Sequence, residues 1–243
     1  MGQLVSLWRN HKLMKKLFIK YSIEFFVIVF SISVSFFVEN LREENEKDNQ
    51  RRLIKQSLLQ ELKSGEEFLK FRKNAFEMDF KAIELILKDE TPLDSIFSNI
   101  SSAGFSNPFM VPRNFNPPSS VYNSLVNDGT INLIRSQELK SLIEDTYVFY
   151  TQTIQSWSEG EGIIAEKIKL HIIENYSKFY LKDIYTTTDK SIMLEFKKIV
   201  QNDPKLKAYL KAKTEPMTVK LYSLQDYIES RESLISALEE SLQ

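Results

Sequence analysis

The sequence predicts an all-α protein in which one N-terminal transmembrane helix continues into a long helix and an antiparallel helical bundle. Three observations support this: an uncharged apolar run, long segments with apolar residues every three or four positions, and few turn-forming residues. The 243 residues include only 6 Gly and 7 Pro, which disfavours a turn-rich β-sandwich. A chain of this length has ample material for a buried core.

The apolar run covers residues 25–38, with the sequence FFVIVFSISVSFFV. A helix over this run extends about 21 Å, whereas the hydrocarbon core of a bilayer is about 30 Å thick. Extending the helix back to Leu17 closes the gap and includes Glu24 and Lys20, which can snorkel to the headgroups. A buried core helix, a cleaved signal peptide and an uncleaved signal anchor are all possible. The signal anchor is favoured because the run has no charged face and no small-residue cleavage site follows it.

Basic residues flank the run in equal numbers on both sides. They are Arg9, Lys12, Lys15, Lys16 and Lys20 before it, and Arg42, Lys47, Arg51, Arg52 and Lys55 after it. Long C-terminal domains translocate largely regardless of charge, and the N-terminal basic residues lie slightly closer on average, so we expect a cytoplasmic N-terminus. The prediction is a single-pass protein of the inner (cytoplasmic) membrane. It has a basic cytoplasmic arm and start of the anchor at 1–24, a transmembrane core at 25–38, a polar helical stalk at 39–52 and an extracytoplasmic bundle at 53–243.

One face of the predicted membrane helix carries its polar and small residues. At 100° per residue, Glu24, Ile28, Ser31 and Ser35 share this face. Ser31 and Ser35 have the small-xxx-small spacing that lets membrane helices approach closely, so the face predicts association with another copy or another membrane protein. Glu24 has two interpretations: a carboxylate that pairs with a partner helix or relays protons, or an interfacial carboxylate that is hydrated or paired with Lys20. Its position at the edge of the run favours the interfacial one.

The block EFFVIVFSISVSFFVEN over residues 24–40, followed by Glu43, resembles the start of an uncharacterised family of bacterial single-span membrane proteins. Members of that family have a Glu, an apolar run with Gly and Ala where this chain has Ser31 and Ser35, then Asn-Asn-Trp and an acidic residue. Asn40 and Glu43 match this pattern, and Leu41 replaces the Trp. The pattern Y-x-x-L-x-x-x-G-x-x-x-L-I over residues 122–134 is similar to the family's downstream segment. The resemblance implies an anchor helix and a helical soluble domain, without an established activity.

Residues 39–90 are predicted to form one long helix. Its seam positions recur at steps of three and four: Ile54, Leu58, Leu62, Gly65, Leu69, Arg72, Phe76, Phe80, Ile83 and Leu87. The seam is compatible with a two-stranded coiled coil or with packing in an intramolecular bundle. Gly65 and Arg72 are poor coiled-coil residues, so the bundle is favoured.

Pro92 ends this helix, and a short helix is expected over residues 93–102. Residues 103–120 then form an irregular loop rich in Pro, Asn and Phe. Its candidate binding residues are Phe105, Phe109, Met110 and Phe115. The sequence leaves two interpretations open: a loop fixed to the bundle by its aromatic residues, or a binding loop, since long ordered loops are often functional.

The remaining elements are predicted from caps and breaks. Ser119 or Ser120 caps a short helix over 121–128, Gly129 stops it in the left-handed conformation, and Ser136 caps the next helix. That helix is expected to kink at residues 159–162 and to continue over 163–181. Residues 191–201 and 205–242 complete a helical hairpin, broken by Asn-Asp-Pro at 202–204.

Composition and motifs remove several classes of function. The balance of 32 Lys and Arg against 33 Asp and Glu argues against a nucleic-acid partner. The chain has 0 Cys, and its histidines, His11 and His171, lie far apart, which excludes thiolate sites and multi-histidine metal sites. No phosphate-binding, dinucleotide, nucleophile-elbow or metalloprotease motif occurs. We therefore expect no catalytic residue, no cofactor and no metal, and a structural role for His171.

Two hypotheses of function follow from the sequence. The first is a non-enzymatic envelope protein that acts as a scaffold or partner-binding subunit, with the lipid bilayer and a second copy or another membrane protein as partners. The alternative is an accessory subunit of an ion-driven membrane machine in which Glu24 is the protonatable group.

Overall fold

The computed structural model describes residues 2–97, 106–182, 184 and 189–243, with side chains for 20–96, 108–182, 184 and 189–243. Helices make up 86% of the structure, and the described residues contain no strand. The predicted all-α class is confirmed. The chain divides into two compact units, Met1–Leu53 and Ile54–Gln243.

The chain begins with two long helices, α1 (Gly2–Ser64) and α2 (Glu66–Leu87). The prediction of one unbroken helix over 39–90 is wrong at Gly65, which separates the two. The interruption is local, because the Gly65 amide still donates to the Glu61 carbonyl at 3.1 Å and the Leu69 amide donates to the Gly65 carbonyl at 3.1 Å.

Shorter elements alternate with three further long helices. In chain order they are α3 (Leu93–Phe97), α4 (Ser106–Met110), α5 (Ser120–Asn127), a 3-10 turn (Thr130–Leu133), α6 (Gln137–Glu144), a π-helical turn (Asp145–Phe149), α7 (Tyr150–Asn175), α8 (Ser177–Tyr180), α9 (Lys190–Asn202) and α10 (Pro204–Glu240). The helix predicted over 93–102 therefore begins as expected, and residues 98–102 lie outside the described residues.

The kink predicted at residues 159–162 is absent, because α7 continues through them as a regular helix. Glycines in a helix interior cost about 1 kcal/mol each. Tertiary packing offsets this cost: the Glu161 side chain is buried, and a Cβ at Gly162 would lie 3.4 Å from the Pro112 ring. The irregular geometry occurs one element earlier, in the π-helical turn, and α7 ends at Asn175 rather than at 181.

Several boundaries agree with the predictions. Gly129 has φ 70° and follows α5, and the Ser136 hydroxyl accepts a hydrogen bond from the Leu139 amide at 3.1 Å. The break between α9 and α10 falls at Asp203, whose carboxylate caps α10, with Pro204 in the first turn.

The unit Ile54–Gln243 is a bundle in which α2 and α7 pack against α10. One hydrophobic cluster includes Ile83 of α2, Phe196 of α9 and Leu210 of α10, and another joins Leu58 of α1 to Leu234 of α10. The predicted seam supplies much of this core; its buried residues are Ile54, Leu58, Leu62, Gly65, Leu69, Phe76 and Ile83. Their contacts lie within the chain, as expected for an intramolecular bundle.

Candidate functional site

The apolar run within α1 is long and apolar enough to cross a membrane. Its most apolar window has a mean hydropathy of 2.0, and 0% of that window is buried inside the protein. The large side chains on all sides of this helix, such as Phe26, Phe30 and Phe36, are exposed. A core helix of a soluble protein would bury such residues, so the run could cross a membrane but does not act as a core helix of the bundle.

The face formed by Glu24, Ile28, Ser31 and Ser35 is uncovered in the single chain. Glu24 is 52% exposed, and its carboxylate lies 3.8 Å from the Lys20 ammonium, one turn away. The Ser31 hydroxyl donates to the Val27 carbonyl at 2.7 Å, and the Ser35 hydroxyl donates to the Ser31 carbonyl at 2.9 Å. Both hydroxyls therefore already have a hydrogen-bond acceptor within their own helix. The small side chains of this face would let the backbone of a partner helix approach closely.

The loop predicted over 103–120 is wrong in part, because residues 106–110 form α4 and Ser120 begins α5. Its candidate binding residues contribute to packing. Phe109 and Phe115 are fully buried and Met110 is nearly so, while Phe105 lies outside the described residues. The Phe109 ring lies 5.0 Å from that of Phe196, and the Phe115 ring lies 5.0 Å from that of Tyr227. These three residues fix the loop to the bundle, and a binding role for them would require them to leave the core.

Sequence reasoning missed a group of charged residues inside the bundle, which we call the Phe76 charge cluster. Its charged members surround the ring of Phe76 on α2 or pair with residues that do. They are Arg72 and Asp79 on α2, Arg113 after α4, Glu161 on α7, and Lys213 and Lys220 on α10. Glu161 is 1% exposed and bridges both lysines, with 3.2 Å between its Oε1 and Lys213 Nζ and an ion pair between its Oε2 and Lys220.

The other members of the Phe76 charge cluster have partners of their own. Lys213 Nζ donates to the Pro108 carbonyl at 2.6 Å, and Lys220 Nζ lies 4.1 Å from the centroid of the Phe76 ring. Arg113 forms a two-pronged ion pair with Asp79, with 3.1 Å from its Nη2 to Oδ1. The cluster thus connects α2, α7 and α10 to Pro108 of α4 and to Arg113, which follows α4.

Burial sets the electrostatics of the Phe76 charge cluster. Burial lowers the pKa of Lys213, and the Glu161 carboxylate opposes this by favouring the charged amine. Burial raises the pKa of Asp79, and the hydrogen bond from Arg113 opposes it. Each charge depends on its partner, because an unpaired ion in this environment costs several kcal/mol.

A signal for this cluster was present in the sequence. Lys213 and Lys220 occupy the same seam of α10 as Leu210, Met217 and Leu224, at alternating steps of three and four. A lysine at a core position of a helix requires a buried partner. The identity of that partner, Glu161, follows only from the packing of α7 on α10.

Another buried carboxylate, that of Glu61, caps α5. Glu61 Oε1 accepts hydrogen bonds from the Val121 amide at 2.6 Å and the Ser120 hydroxyl at 3.1 Å, and Oε2 accepts one from the Tyr122 amide at 3.3 Å. The predicted cap by Ser119 or Ser120 is therefore replaced, since Ser119 makes no capping hydrogen bond. A negative charge at the N-terminus of a helix also interacts favourably with its dipole.

His171 lies in a buried hydrogen-bonded group. Its Nε2 lies 2.6 Å from Asp203 Oδ2, which also accepts a hydrogen bond from the Tyr176 hydroxyl at 2.9 Å. Asp203 Oδ1 caps α10 by accepting from the Lys205 and Leu206 amides, each at 2.9 Å. Burial acts to raise the pKa of Asp203, but the hydrogen bonds from His171, Leu206 and Tyr176 outweigh it and lower the pKa to about 2.

These groups define a helical-bundle protein with one helix capable of crossing a membrane. Over the described residues, no set of three or more His, Asp or Glu side chains is arranged to hold a metal ion. Comparison of the chain with protein-family models, curated proteins and solved structures gives no match. The resemblance of residues 24–43 and 122–134 to a single-span membrane family stays a prediction.

Proposed function

We propose that this chain is a membrane-anchored, non-enzymatic envelope protein whose folded unit, Ile54–Gln243, acts as a scaffold or partner-binding subunit. The observation that supports the membrane anchor best is that every apolar residue at 25–38 is exposed, none being buried by the rest of the chain. Burying one large apolar side chain is worth roughly 1.5–3 kcal/mol, so transfer of this run from water to a bilayer is strongly favourable.

The proposed topology places the N-terminus in the cytoplasm and residues 39–243 on the other side of the inner membrane. It rests on the basic residues that precede the run and on the ready translocation of long C-terminal domains. A reporter that is active only outside the cytoplasm, fused after Gln243, should be active. The same reporter fused before the chain should be inactive, and the reverse pattern would contradict the topology.

In this proposal the face at Ser31 and Ser35 contacts another membrane helix, from a second copy or from another membrane protein. Replacing both serines with Leu keeps the run hydrophobic and fills the space that close approach requires. Crosslinking of the full chain in membranes should decrease in the Ser31→Leu, Ser35→Leu variant, while insertion is unchanged.

The matched control is the Ile32→Leu, Phe36→Leu variant, whose changes lie about 100° around the helix from the serines. It should crosslink like the natural chain. Because polar contacts between membrane helices contribute only about 0.6 kcal/mol each, a large loss has to come from steric blocking. Equal crosslinking in both variants would contradict this contact face.

The role proposed for Glu24 is that of an interfacial carboxylate. The ion pair with Lys20 supports this, because both groups are exposed and lie at the edge of the run. A charged pair at this depth can reach the headgroup region and avoids the cost of a charge in the hydrocarbon core.

A further inference from the structure

A cleft of about 210 Å³ lies between α5 and α6, in a region that the proposed function does not use. Its walls include Tyr122 and Val126 of α5, Ile143 of α6 and Val148 of the π-helical turn. Val126 is 45% exposed. The cleft therefore offers a small apolar surface that is open to solvent.

The walls of the cleft are held in place before any ligand arrives. The Tyr122 ring stacks on Tyr147, with 4.5 Å between centroids and 11° between planes. In the π-helical turn, the Thr151 hydroxyl donates to the Thr146 carbonyl at 3.1 Å, and the Thr146 and Ser230 hydroxyls are 2.8 Å apart. Short π-helical turns inside α-helices are frequently found at functional sites.

Two opposite charges lie on the same cleft. Lys140 and Glu144, one turn apart on α6, both line it. Residues at this spacing often form an ion pair, yet in the part of the chain that the structure describes no ion pair within 4.0 Å joins Lys140 to Glu144. The negative charge of Glu144 is felt at the cleft wall: burial of Tyr122 and this charge together raise the pKa of the Tyr122 hydroxyl. The cation and the anion are thus both available to a ligand.

We propose that this cleft binds a small zwitterion with an apolar side chain, of the amino-acid type. The ligand's ammonium group pairs with Glu144, its carboxylate pairs with Lys140, and its side chain packs against Val126, Ile143 and Val148. The volume fits a small molecule, since clefts for drug-sized ligands are typically about 300–1,000 Å³. The inference does not depend on the membrane anchor, because every residue that it uses belongs to the unit Ile54–Gln243.

The test is calorimetric titration of the full chain in detergent with L-leucine, up to roughly 10 mM, a concentration that would reveal a Kd of about 1 mM. L-leucine should bind saturably at one site. Two analogues that each lack one charge, 3-methylbutylamine and 4-methylpentanoate, should bind at least about tenfold more weakly, because charge-assisted hydrogen bonds are worth about 1.5–3 kcal/mol. Absence of leucine binding, or equal binding of either analogue, would overturn the proposal.

Variants test the assignment of the two charges. Lys140→Gln should weaken binding of leucine by about tenfold and leave binding of 3-methylbutylamine unchanged, whereas Glu144→Gln should leave binding of 4-methylpentanoate unchanged. Val126→Trp fills the cleft at an exposed position and should abolish binding without unfolding the chain. Glu138→Gln, on an exposed position of α6 outside the cleft, is the matched control and should bind like the natural chain. Equal loss in Glu138→Gln would contradict the assigned site.

Discussion

Phenylalanine occurs in two opposite environments in this molecule. In the run at 25–38, five Phe side chains are between 63% and 70% exposed: Phe25, Phe26, Phe30, Phe36 and Phe37. In the unit Ile54–Gln243, four Phe side chains are at most 1% exposed: Phe76, Phe109, Phe115 and Phe196. Phenylalanine therefore forms part of the hydrophobic core in the bundle and faces outward in the run at 25–38. This contrast is the one expected if residues 25–38 face lipid and the bundle faces water.

Charged residues show the reverse distribution. The run at 25–38 has no charge at all, whereas the bundle buries Glu161, Lys213 and Lys220 together. A buried charge is tolerated where a partner is fixed beside it, and a lone helix in hydrocarbon has no such partner. Substitutions that introduce or remove charge should therefore affect the two regions differently.

The largest effect is expected from charges placed in the middle of the apolar run. Phe30→Arg with Val34→Arg should prevent stable insertion, because Arg at the centre of a membrane helix costs about 2.5–3.5 kcal/mol. Extraction of membranes with alkaline carbonate measures this, and the variant should appear in the soluble fraction. Leu53→Arg, an exposed position outside the run, is the control and should stay in the membrane pellet. Retention of the double variant in the pellet would show that the run does not anchor the chain.

Next in size is the loss of Glu161, the shared partner of two buried lysines. Glu161→Gln should destabilise the bundle by about 3–5 kcal/mol, because it removes the carboxylate that both buried ammonium groups share. Urea unfolding of the full chain in detergent, followed by far-UV circular dichroism, measures this. Glu159→Gln is the matched control on the exposed face of α7 and should change stability by less than about 0.5 kcal/mol. Similar midpoints for the two variants would mean that Glu161 is dispensable.

Replacing Glu161, Lys213 and Lys220 together tests whether the stability lost in Glu161→Gln comes from unpaired buried charge. The variant Glu161→Leu, Lys213→Met, Lys220→Met removes every charge of the triad and should recover most of the stability lost in Glu161→Gln. Buried ion groups can often be replaced by apolar residues of similar volume without loss. A triple variant less stable than Glu161→Gln would show that the ions contribute more than mutual compensation.

These contacts mark where sequence reasoning succeeded and failed. The left-handed Gly129, the Ser136 cap and the break at Asp203 depend on neighbours within a few residues, so the sequence predicts them. The role of Glu161 depends on residues more than fifty positions away, and its Gly neighbours suggested a kink instead.

A smaller effect is expected at the N-terminus of α5. Glu61→Ala should cost about 1–2 kcal/mol, the upper part of the range for a lost cap, because the Val121 and Tyr122 amides lose their acceptor. The exposed Glu67→Ala is the control for removing a glutamate from this region. The urea midpoint of Glu61→Ala should be lower than that of Glu67→Ala. Equal midpoints would mean that another group caps α5.

The smallest effect is a dependence on acid. The pKa of Asp203 is about 2 in the folded state, against 3.8 ordinarily, so its contribution is complete above pH 3.8 and is lost as the pH falls towards 2. The difference in urea midpoint between the natural chain and Asp203→Asn should therefore be largest near pH 5 and shrink towards pH 2. A difference that is constant over this range would contradict the hydrogen-bonded carboxylate.

The central claim, that residues 25–38 lie in the bilayer, can be tested directly because the chain contains 0 Cys. Single cysteines at Ser33 in the run and at the exposed Ser233 of α10 report on two positions in otherwise natural chains. In membranes that are opened to the reagent on both sides but not dissolved, a water-soluble maleimide should label Ser233→Cys rapidly and Ser33→Cys only after the chain is unfolded in a denaturing detergent. Labelling of both cysteines at the same rate before detergent is added would contradict the membrane span.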